Sequence, residues 1–436
     1  MSGKARGLIQ NVPTLRFRVG EMSPAENTAG EANGNGGCVR IPSLPWNLRT
    51  IESLGGRWYK GQPFAKAEIN DNGLRYCIHY GELFTKYGCV ISCIFSRTNS
   101  RALVKSHAGD ILFPASDVTP EGLGRCSVVL QSEVILGGDL ICFRQDEVDS
   151  EFLGYAINNA GEQIIHFVTG TTVRHSSANK LKMVQVFIPL SRHEQQKIGS
   201  FFRSLDALID GREKALGKLE SLKKAMLEKM FPQGDAKIPE VRFKGFEGEW
   251  NLITMESLGG EWLKGQPFAK TEISANGLRY CIHYGELFTR YGCIVSSVFS
   301  RTNSIARIRS KVGDILFPAS DVTPEGLGRC SVVLQADVLL GGDLICFRQD
   351  NVNSEFLGYA INNASVQIIR LVTGTTVRHS SANKLKMVKV FVPPTICEQK
   401  KIGTYFRSLD ALLATRREEV EKLKQMKKAF LERMFV

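Results

Sequence analysis

Four polar loops of this sequence carry the side chains best suited to chemistry with a polyanion. They are Asn72–Tyr87 (NGLRYCIHYGELFTKY), Ser96–Asn99 (SRTN), Ala115–Arg125 (ASDVTPEGLGR) and Thr169–Lys182 (TGTTVRHSSANKLK). Arg and Lys bind phosphate oxygens, Arg also pairs well with guanine and Asn with adenine, so the loops could contact both the backbone and the base edges of DNA. The alternative, that these side chains only cap turns and helices, stays open loop by loop.

The candidate DNA-binding residues of these loops occur twice, at a constant offset of 204 positions. They are Arg75, His79, Tyr80, Lys86, Arg97, Asn99, Arg125, Arg174, His175, Asn179 and Lys180, with the copies Arg279, His283, Tyr284, Arg290, Arg301, Asn303, Arg329, Arg378, His379, Asn383 and Lys384. The formal net charge of +12 favours a polyanionic partner, although other classes of basic protein share such a charge.

No catalytic pattern accompanies these loops. A nucleotide hydrolase needs a Gly-rich loop ending in Gly-Lys-Ser or Gly-Lys-Thr, which the sequence lacks. Gly122 and Gly124 form a GxG, but the strand-like CSVVL follows it instead of the helix of a cofactor-binding turn. Cys89 and Cys93 are close, yet the second copy has Ser297 in place of Cys93, which argues against a metal site. We therefore expect no catalytic residue and no metal.

The cellular compartment also follows from these patterns. Cysteines without a disulfide or zinc spacing indicate free thiols in a reducing environment. The sequence shows neither the apolar core of a signal peptide nor a run of about 18 apolar residues. We expect a soluble, cytoplasmic protein without contact to a membrane.

The elements that position the loops belong to a tandem duplication. Residues 46–231 recur as residues 250–435 without a gap, and 137 of the 186 aligned positions are identical. Within each copy, short β-branched or aromatic runs such as Ile111–Phe113 and Leu140–Phe143 predict strands, and Glu151–Ala160 predicts a helix capped by Ser150. Because regular βαβ alternation is missing, we predict an irregular α+β domain in each copy.

Each copy ends in a long predicted helix, Ser191–Phe231 and Thr395–Phe435, with capping boxes at Ser191/Glu194 and Thr395/Glu398. Apolar residues in each helix alternate at steps of three and four, as in a coiled-coil seam. The predicted pairing positions are Ile198, Phe201, Leu205, Leu208, Leu219, Leu222 and Met226 in the first helix and Ile402, Tyr405, Leu409, Leu412, Leu423, Met426 and Phe430 in the second. Antiparallel pairing would relate the two copies by a pseudo-twofold axis; the sequence alone also permits parallel pairing.

Two charged residues also fall on the seams. Arg212 and Arg416 are expected to extend to solvent, and the alternative is that they fix the register of the helices.

The duplication sets the domain boundaries. The prediction is an N-terminal segment at 1–45, a first domain at 46–190, a helical spacer at 191–231, a linker at 232–249, a second domain at 250–394 and a second spacer at 395–436. The N-terminal segment holds 22 extra residues, which fall mainly in Gly20–Arg40, a stretch rich in Gly, Asn, Ala and Glu that we interpret as a flexible loop.

The order of these motifs resembles a known family. The junction Lys182–Ile209 (KMVQVFIPLSRHEQQKIGSFFRSLDALI), its copy KMVKVFVPPTICEQKKIGTYFRSLDALL, the Gly109–Leu112 and Gly313–Leu316 motifs and Gly170–Thr172 resemble the specificity (S) subunits of type I restriction-modification systems. The resemblance covers nearly the whole chain. It implies two α/β target-recognition domains separated by two long helices that form an antiparallel coiled coil.

The same resemblance implies the partners. Such a subunit is not catalytic, reads a bipartite double-stranded DNA site, and holds two methyltransferase (M) subunits and, in the full complex, two restriction/translocase (R) subunits. S-adenosylmethionine, ATP and Mg²⁺ would be bound by those partners, with adenine methylation and cleavage performed there. The paired helices would set the gap between the two half-sites.

The near-identity of the two copies adds an expectation of its own. Two nearly identical domains related by a pseudo-twofold should prefer nearly identical half-sites on opposite strands, that is, an interrupted inverted repeat. The rival hypotheses are a non-catalytic coiled-coil scaffold that binds only protein, a stand-alone DNA-modifying enzyme, and an RNA-binding protein, for which the aromatic sheet pattern is missing.

Overall fold

The computed structural model describes residues 46–64, 66–70, 72–268 and 270–435. The predicted N-terminal segment, with the loop Gly20–Arg40, lies outside these residues. The chain divides into two compact units: one contains the described residues up to Arg212 and from Val420 onward, and the other is Glu213–Glu419. Each unit therefore contains one recognition domain and parts of both long helices.

The first copy contains twelve described strands and six described α-helices. The strands are β1 (Trp46–Thr50), β2 (Arg57–Lys60), β3 (Arg75–Ile78), β4 (Val90–Ile91), β5 (Arg97–Thr98), β6 (Asp110–Pro114), β7 (Ser116–Asp117), β8 (Ser127–Val129), β9 (Ile135–Leu136), β10 (Leu140–Arg144), β11 (Arg174–His175) and β12 (Gln185–Pro189). The helices are α1 (Glu82–Thr85), α2 (Pro120–Leu123), α3 (Ser150–Asn159), α4 (Gly161–Phe167), α5 (Ala178–Leu181) and α6 (Arg192–Lys229).

The second copy repeats this order with one additional strand, β15. Its strands are β13 (Asn251–Thr254), β14 (Glu261–Lys264), β15 (Ile273–Ser274), β16 (Arg279–Ile282), β17 (Ile294–Val295), β18 (Arg301–Thr302), β19 (Asp314–Pro318), β20 (Ser320–Asp321), β21 (Ser331–Val333), β22 (Leu339–Leu340), β23 (Leu344–Arg348), β24 (Arg378–His379) and β25 (Lys389–Val392). Its helices are α7 (Glu286–Thr289), α8 (Pro324–Leu327), α9 (Ser354–Asn363), α10 (Ser365–Leu371), α11 (Ala382–Leu385) and α12 (Ile396–Met434).

A mixed five-stranded sheet, in the order β2-β10-β6-β8-β4, forms the centre of the first domain. Its pairs are antiparallel except β4 with β8. A smaller sheet has the strand order β5-β3-β9. The second domain has the corresponding sheets β14-β23-β19-β21-β17 and β15-β18-β16-β22. Strand β6 is buried throughout, in agreement with its apolar run ILFP after Asp110. The predicted α+β class without βαβ alternation is confirmed.

Helix α3 packs on the central sheet and begins one residue away from its predicted start. Asp149, not Ser150, caps it, since the Asp149 carboxylate accepts a hydrogen bond from the Phe152 amide at 3.0 Å. The predicted Ser150 cap is therefore wrong. The side-chain oxygen of Asp149, one residue before Ser150, satisfies a backbone amide of the first helical turn, which is the role predicted for Ser150.

The start of α6 is fixed to its own domain by the residues of the family-like junction. The Gln195 side chain donates to the Pro189 carbonyl and accepts from the Asp149 amide, both at 2.8 Å. Gly199 lies so close to α3 that a Cβ there would be 2.7 Å from the Phe152 nitrogen. The Glu-Gln pair and the following glycine thus dock the long helix against α3, and Gln399 and Gly403 do the same in the second copy.

The predicted capping boxes form only in part. The hydroxyl oxygens of Ser191 and Thr395 accept from the amides of Glu194 and Glu398 at 3.3 Å, as expected. The glutamates, however, bind elsewhere: Glu194 accepts from the Trp46 indole at 3.3 Å, and Glu398, 1% exposed, forms a two-pronged pair with Arg242 at 2.7 and 2.8 Å. In place of the second half of each box, these contacts hold the helix starts to Trp46 of the first domain and to Arg242 of the segment 232–249.

Within each unit the two long helices run antiparallel. In the first unit Phe201 contacts Phe430 and Asp206 pairs with Lys427. A residue further along the first helix thus contacts a residue nearer the start of the second helix. In the second unit the corresponding pairs are Lys223 with Asp410 and Glu220 with Arg417. The predicted antiparallel pairing is confirmed.

The Leu-Asp motif of each helix has a physical role in this pairing. The Asp206 carboxylate accepts from the Tyr155 hydroxyl of α3 at 2.8 Å and pairs with the Lys427 ammonium at 2.5 Å. In the second unit Asp410 accepts from Tyr359 at 2.7 Å and pairs with Lys223. One aspartate thus joins the domain to both helices of its unit.

The predicted seam requires correction at four positions. Leu208, Leu222, Leu412 and Met426 are between 41% and 49% exposed, so they are not buried pairing residues. Ile209 and Leu413, one residue later, are buried in place of Leu208 and Leu412. The helices bury a face toward the domains as well as toward each other, and this rotates the buried stripe away from a strict coiled-coil seam.

Of the two seam arginines, the structure shows the partner of one. Arg416 pairs with Glu419 along its own helix at 2.7 Å and is 41% exposed, as expected for a side chain that extends to solvent. Arg212 is exposed.

The end of each long helix completes a domain core. Met434 and Phe435 belong to the first unit's core, where Phe435 contacts the rings of Trp46, Phe152 and Phe202. Met230 and Phe231 occupy the matching place in the second unit's core. No helix within the described residues is long and apolar enough to cross a membrane.

Replacing Phe435 by Ala should lower the free energy of unfolding of the first unit by about 3–5 kcal/mol, because a buried aromatic ring leaves a cavity. Phe231→Ala should do the same to the second unit. Urea unfolding followed by circular dichroism measures both, and Leu190→Ala, at an exposed position, is the control. An unchanged midpoint for Phe435→Ala would contradict the described packing.

Adjacent residues test the corrected seam. Ile209→Ala should cost about 2 kcal/mol or more in unfolding free energy, whereas Leu208→Ala should cost less than about 1 kcal/mol, because only the first removes buried surface. The pair Leu413→Ala and Leu412→Ala should behave likewise. Equal losses of unfolding free energy within either pair would contradict the corrected seam and support the strict one.

Candidate nucleic-acid interface

The first group of candidate residues lies on the small sheet β5-β3-β9. The Arg97 guanidinium lies 4.4 Å from the centre of the Tyr76 ring and donates to its hydroxyl at 2.9 Å. Arg75 donates to the Ser100 carbonyl at 3.3 Å. Asn99 accepts from the Leu74 amide at 3.0 Å. We call these five residues, Leu74, Arg75, Tyr76, Arg97 and Asn99, the β3–β5 face.

The second domain repeats this face with Leu278, Arg279, Tyr280, Arg301 and Asn303. Arg301 stacks on Tyr280 at 4.4 Å, Asn303 accepts from Leu278 at 3.1 Å and Arg279 donates to the Ser304 carbonyl at 3.4 Å. Among the described residues, no carboxylate lies within ion-pairing distance of Arg75, Arg97 or their copies. The stacked arginine is held rigidly while its charge stays unneutralised, which suits contact with phosphate or a base edge.

A second group lies on the two-stranded sheet β7–β11. His175 pairs with Ser116 and Arg174 with Asp117 across this sheet. His175 and Asn179 are exposed, while Lys180 donates to the Thr169 hydroxyl at 3.1 Å. The Nε of Arg174 is buried without a hydrogen-bond partner among the described residues. His379, Asn383, Lys384 and Arg378 occupy the same places in the second domain.

His79 and Tyr80 lie between these groups, at the end of β3. The Gly81 amide donates to His79 Nδ1 at 3.3 Å, and burial lowers the pKa of His79 below its usual value. The neutral ring then carries its proton on Nε2, a donor rather than a cation. Phe84 contacts Tyr80 edge to face and lies against Gly122 of the next polar loop. His283 and Tyr284 repeat this arrangement.

At two positions of each domain, the predicted contact residues have a role in packing. Lys86 pairs with the buried Glu82 at 2.9 Å and donates to the Ser96 hydroxyl at 2.8 Å, and Arg290 binds the equivalent pair. Arg125 donates to the Tyr87 carbonyl at 3.0 Å, and burial lowers its pKa. Arg329 repeats the contact at 2.9 Å. These partners fix α1 and its neighbouring loop, and contact of the four residues with DNA stays a prediction.

The sequence patterns missed a buried ion pair beneath the site. Asp110, fully buried, accepts from Arg144 at 2.7 and 2.9 Å and from the Tyr59 hydroxyl at 2.5 Å, which ties β6 to β10 and β2. Asp314 and Arg348 repeat the pair at 2.8 Å, with Leu263 in place of Tyr59. The Gly-Asp motif noted in the sequence pointed to Asp110 but not to its partner.

Exposed apolar residues near the polar loops were also missed. Leu74, Phe95, Leu103 and Val118 are each more than 60% exposed, as are their apolar counterparts Leu278, Phe299 and Val322. A single leucine in a polar loop belongs to no hydrophobic repeat, so sequence periodicity does not indicate that it is exposed. Apolar groups can contact the thymine methyl group in DNA.

Comparison with known proteins identifies the class. The family described as "Type I restriction modification DNA specificity domain" matches residues 56–221 and 266–425, more than half of the chain. The chain therefore belongs to the family of type I restriction-modification DNA specificity proteins. Its function is that of the specificity subunit, the component that recognises the DNA sequence.

Individual relatives agree with this. The chain is 24% identical over 348 residues to a specificity subunit assigned to the MjaX type I restriction enzyme of Methanocaldococcus jannaschii, covering 74% of this chain and 76% of the relative. It is 20% identical over 328 residues to the MjaVIII specificity subunit of the same organism, covering 71% and 76%. The solved S subunit of the type I system from M. genitalium has the same fold, with a TM-score of 0.63 at 17% identity over 90% of this chain and 96% of that one.

The double variants His175→Ala/His379→Ala and Arg125→Ala/Arg329→Ala should separate binding from packing. The exposed histidines should leave unfolding free energy within about 0.5 kcal/mol but weaken binding to DNA. Replacement of the half-buried arginines should lower the unfolding free energy by about 1–3 kcal/mol per unit, because a carbonyl loses its donor and packing is lost. Urea unfolding and fluorescence anisotropy with labelled duplex measure the two effects. A loss of binding confined to the arginine variant at unchanged stability would reverse the assignment.

Proposed function

We propose that each recognition domain reads one half of a gapped DNA site and that the two half-sites form a nearly perfect inverted repeat. The observation that carries this proposal is the duplication: the β3–β5 face and the β7–β11 sheet hold the same side chains with the same partners in both domains. Two sets of identical groups have the same preference among bases. The antiparallel helix segments within each unit support opposite orientations of the two half-sites.

The arrangement of charges supports a division between positioning and reading. Arginines and lysines of the exposed loops supply phosphate contacts, which are strong, dependent on salt and nearly indifferent to sequence. The stacked Arg97 and the exposed His175 and Asn179 present donors and acceptors in fixed positions, which is what base recognition requires. His79, neutral at physiological pH, belongs with the reading group.

Catalysis belongs to partner subunits in this proposal. Two methyltransferase subunits, supplied with S-adenosylmethionine, modify adenine in the bound site, and two restriction/translocase subunits using ATP and Mg²⁺ complete the larger complex. Support comes from the family membership and from the sequence, which carries no nucleotide- or cofactor-binding motif. The long helices, with their exposed outer faces, offer a surface for such partners.

Sequencing of retained DNA tests the proposed function. The chain, coexpressed with its methyltransferase subunits, is incubated with a random duplex library and S-adenosylmethionine, and the bound fraction is sequenced. We expect enrichment of two near-identical half-sites in inverted orientation around an unread gap, and weaker retention as salt rises. Two unrelated half-sites would overturn the inverted repeat, while no enrichment from a stable complex would favour the protein-binding scaffold.

A further inference from the structure

One exposed segment beside the β3–β5 face differs in its side chains between the two domains. It is Arg101–Lys105 (RALVK) in the first domain and Ile305–Arg309 (IARIR) in the second. The four polar loops are identical between the copies apart from Lys86, which becomes Arg290. Any difference between the half-sites must therefore come mainly from groups outside those loops.

Two backbone anchors of this segment are the same in both domains. The Gln62 side chain accepts from the Leu103 amide at 2.6 Å, and Gln266 accepts from the Arg307 amide. The Val104 carbonyl accepts from the Leu136 amide at 3.0 Å, as the Ile308 carbonyl does from Leu340. The second domain adds two bonds, from the Ile308 amide to Gln266 at 3.2 Å and from the Arg348 guanidinium to the Arg309 carbonyl at 3.0 Å. The shared anchors hold the segment in place in both domains, so the comparison below concerns its outward side chains.

Alternate residues of the segment face in and out. Ala102 belongs to a small buried cluster with Cys77, and Val104 packs against another part of the core. Arg101 is exposed and Leu103 is 81% exposed. The two outward side chains are thus an arginine followed, two residues later, by a leucine.

In the second domain the order of the outward pair is reversed. Ile305, 85% exposed, stands where Arg101 stands in the first domain, and the exposed Arg307 stands where Leu103 stands. The flanking basic residues do not differ in role, since Lys105 pairs with Glu133 and Arg309 with Asp337. Compared with the first domain, the second domain has the guanidinium two residues later in the segment and the aliphatic side chain two residues earlier.

The segment continues the β3–β5 face. It follows Ser100 directly, and the carbonyl of Ser100 is held by Arg75 of that face. Within the described residues, no carboxylate lies within ion-pairing distance of Arg101 or Arg307. Both guanidinium groups are therefore available to a ligand that contacts the face.

We propose that Arg101 with Leu103, and Ile305 with Arg307, determine the bases by which the two half-sites differ. This inference rests on the proposed reading of near-identical half-sites. Arginine pairs with guanine through O6 and N7, and an aliphatic side chain contacts the methyl group of thymine. Exchanging the two side chains exchanges the positions at which the domain selects guanine.

The spacing predicts how far apart those positions lie. An extended chain advances about 3.3 Å per residue, so a shift of two residues moves the arginine by about 6.6 Å. Successive base pairs of B-DNA are about 3.4 Å apart. The half-sites therefore differ at two positions about two base pairs apart, with guanine favoured at one position in the first half-site and at the other in the second.

A side-chain exchange tests this inference. In Arg101→Ile/Leu103→Arg the first domain presents the outward pair of the second. The library experiment is performed on the complex of this variant, of the wild type and of the reciprocal Ile305→Arg/Arg307→Leu. We expect the wild type to select an imperfect inverted repeat. Each variant should select a perfect repeat, composed twice of the second half-site or twice of the first.

Defined duplexes give the size of the effect. Each exchanged position should change relative affinity by about tenfold, the usual discrimination of one arginine–guanine contact. The control variant Val104→Ile/Lys105→Arg also makes the first segment more like the second, but at an inward and an ion-paired position. It should leave the selected site unchanged.

The outcomes separate the two proposals. Unrelated half-sites in the wild type overturn the inverted repeat and this inference with it. The inference alone is overturned if the wild type selects an imperfect repeat and Arg101→Ile/Leu103→Arg, at wild-type thermal stability, selects the same one. A perfect repeat already selected by the wild type, or a control variant that changes the site, does the same.

Discussion

Each recognition domain depends on a helix end for a closed core. Phe435 in the first unit and Phe231 in the second pack among the tryptophan and phenylalanine rings that also hold the start of the other long helix of that unit. Burial of such a ring contributes several kcal/mol, a large share of the net stability of a domain. The helices are consequently part of the cores and not only connections between them.

This dependence explains the polar residues around the helix starts. Gln195 and Asp206 each bind two neighbouring residues, and Glu398 holds Arg242 through two hydrogen bonds. Polar groups are stable in the interior of a protein only when they are satisfied in this way. A domain that docks helices through apolar surface alone could slide along them. The hydrogen bonds and ion pairs fix one register of the helices against each domain.

The sequence was sufficient to predict the duplication, the two long helices within two residues at either end, and the main strands. These depend on periodicity and local propensity, which a single sequence displays. It could not locate the buried stripe, because Leu208 and Ile209 are adjacent and equally apolar, and only the packing of α6 on α3 decides between them. Nor could it tell that Glu398 binds Arg242, a residue 156 positions away.

The candidate site was predictable in its composition but not in its roles. Arg97 and Arg125 look alike in the sequence, yet one is stacked on an exposed tyrosine and the other is desolvated against a backbone carbonyl. Only tertiary structure distinguishes a guanidinium that supports the fold from one that can meet a ligand. The duplication helps, because a contact repeated in both domains is a property of the fold, whereas a difference on a matched backbone is a property of the surface.

The division of the helices between units also orders events during synthesis. The ribosome produces residues 420–435, which complete the first core, only after every residue of Glu213–Glu419 has been made. The first domain is therefore synthesised first, but its core stays incomplete, with an apolar cleft beside Trp46 and Phe152. The second core, which contains Phe231, can form before the first is completed. During synthesis the domain that is made first therefore exposes apolar surface for the longest time, which is the condition under which nascent chains aggregate.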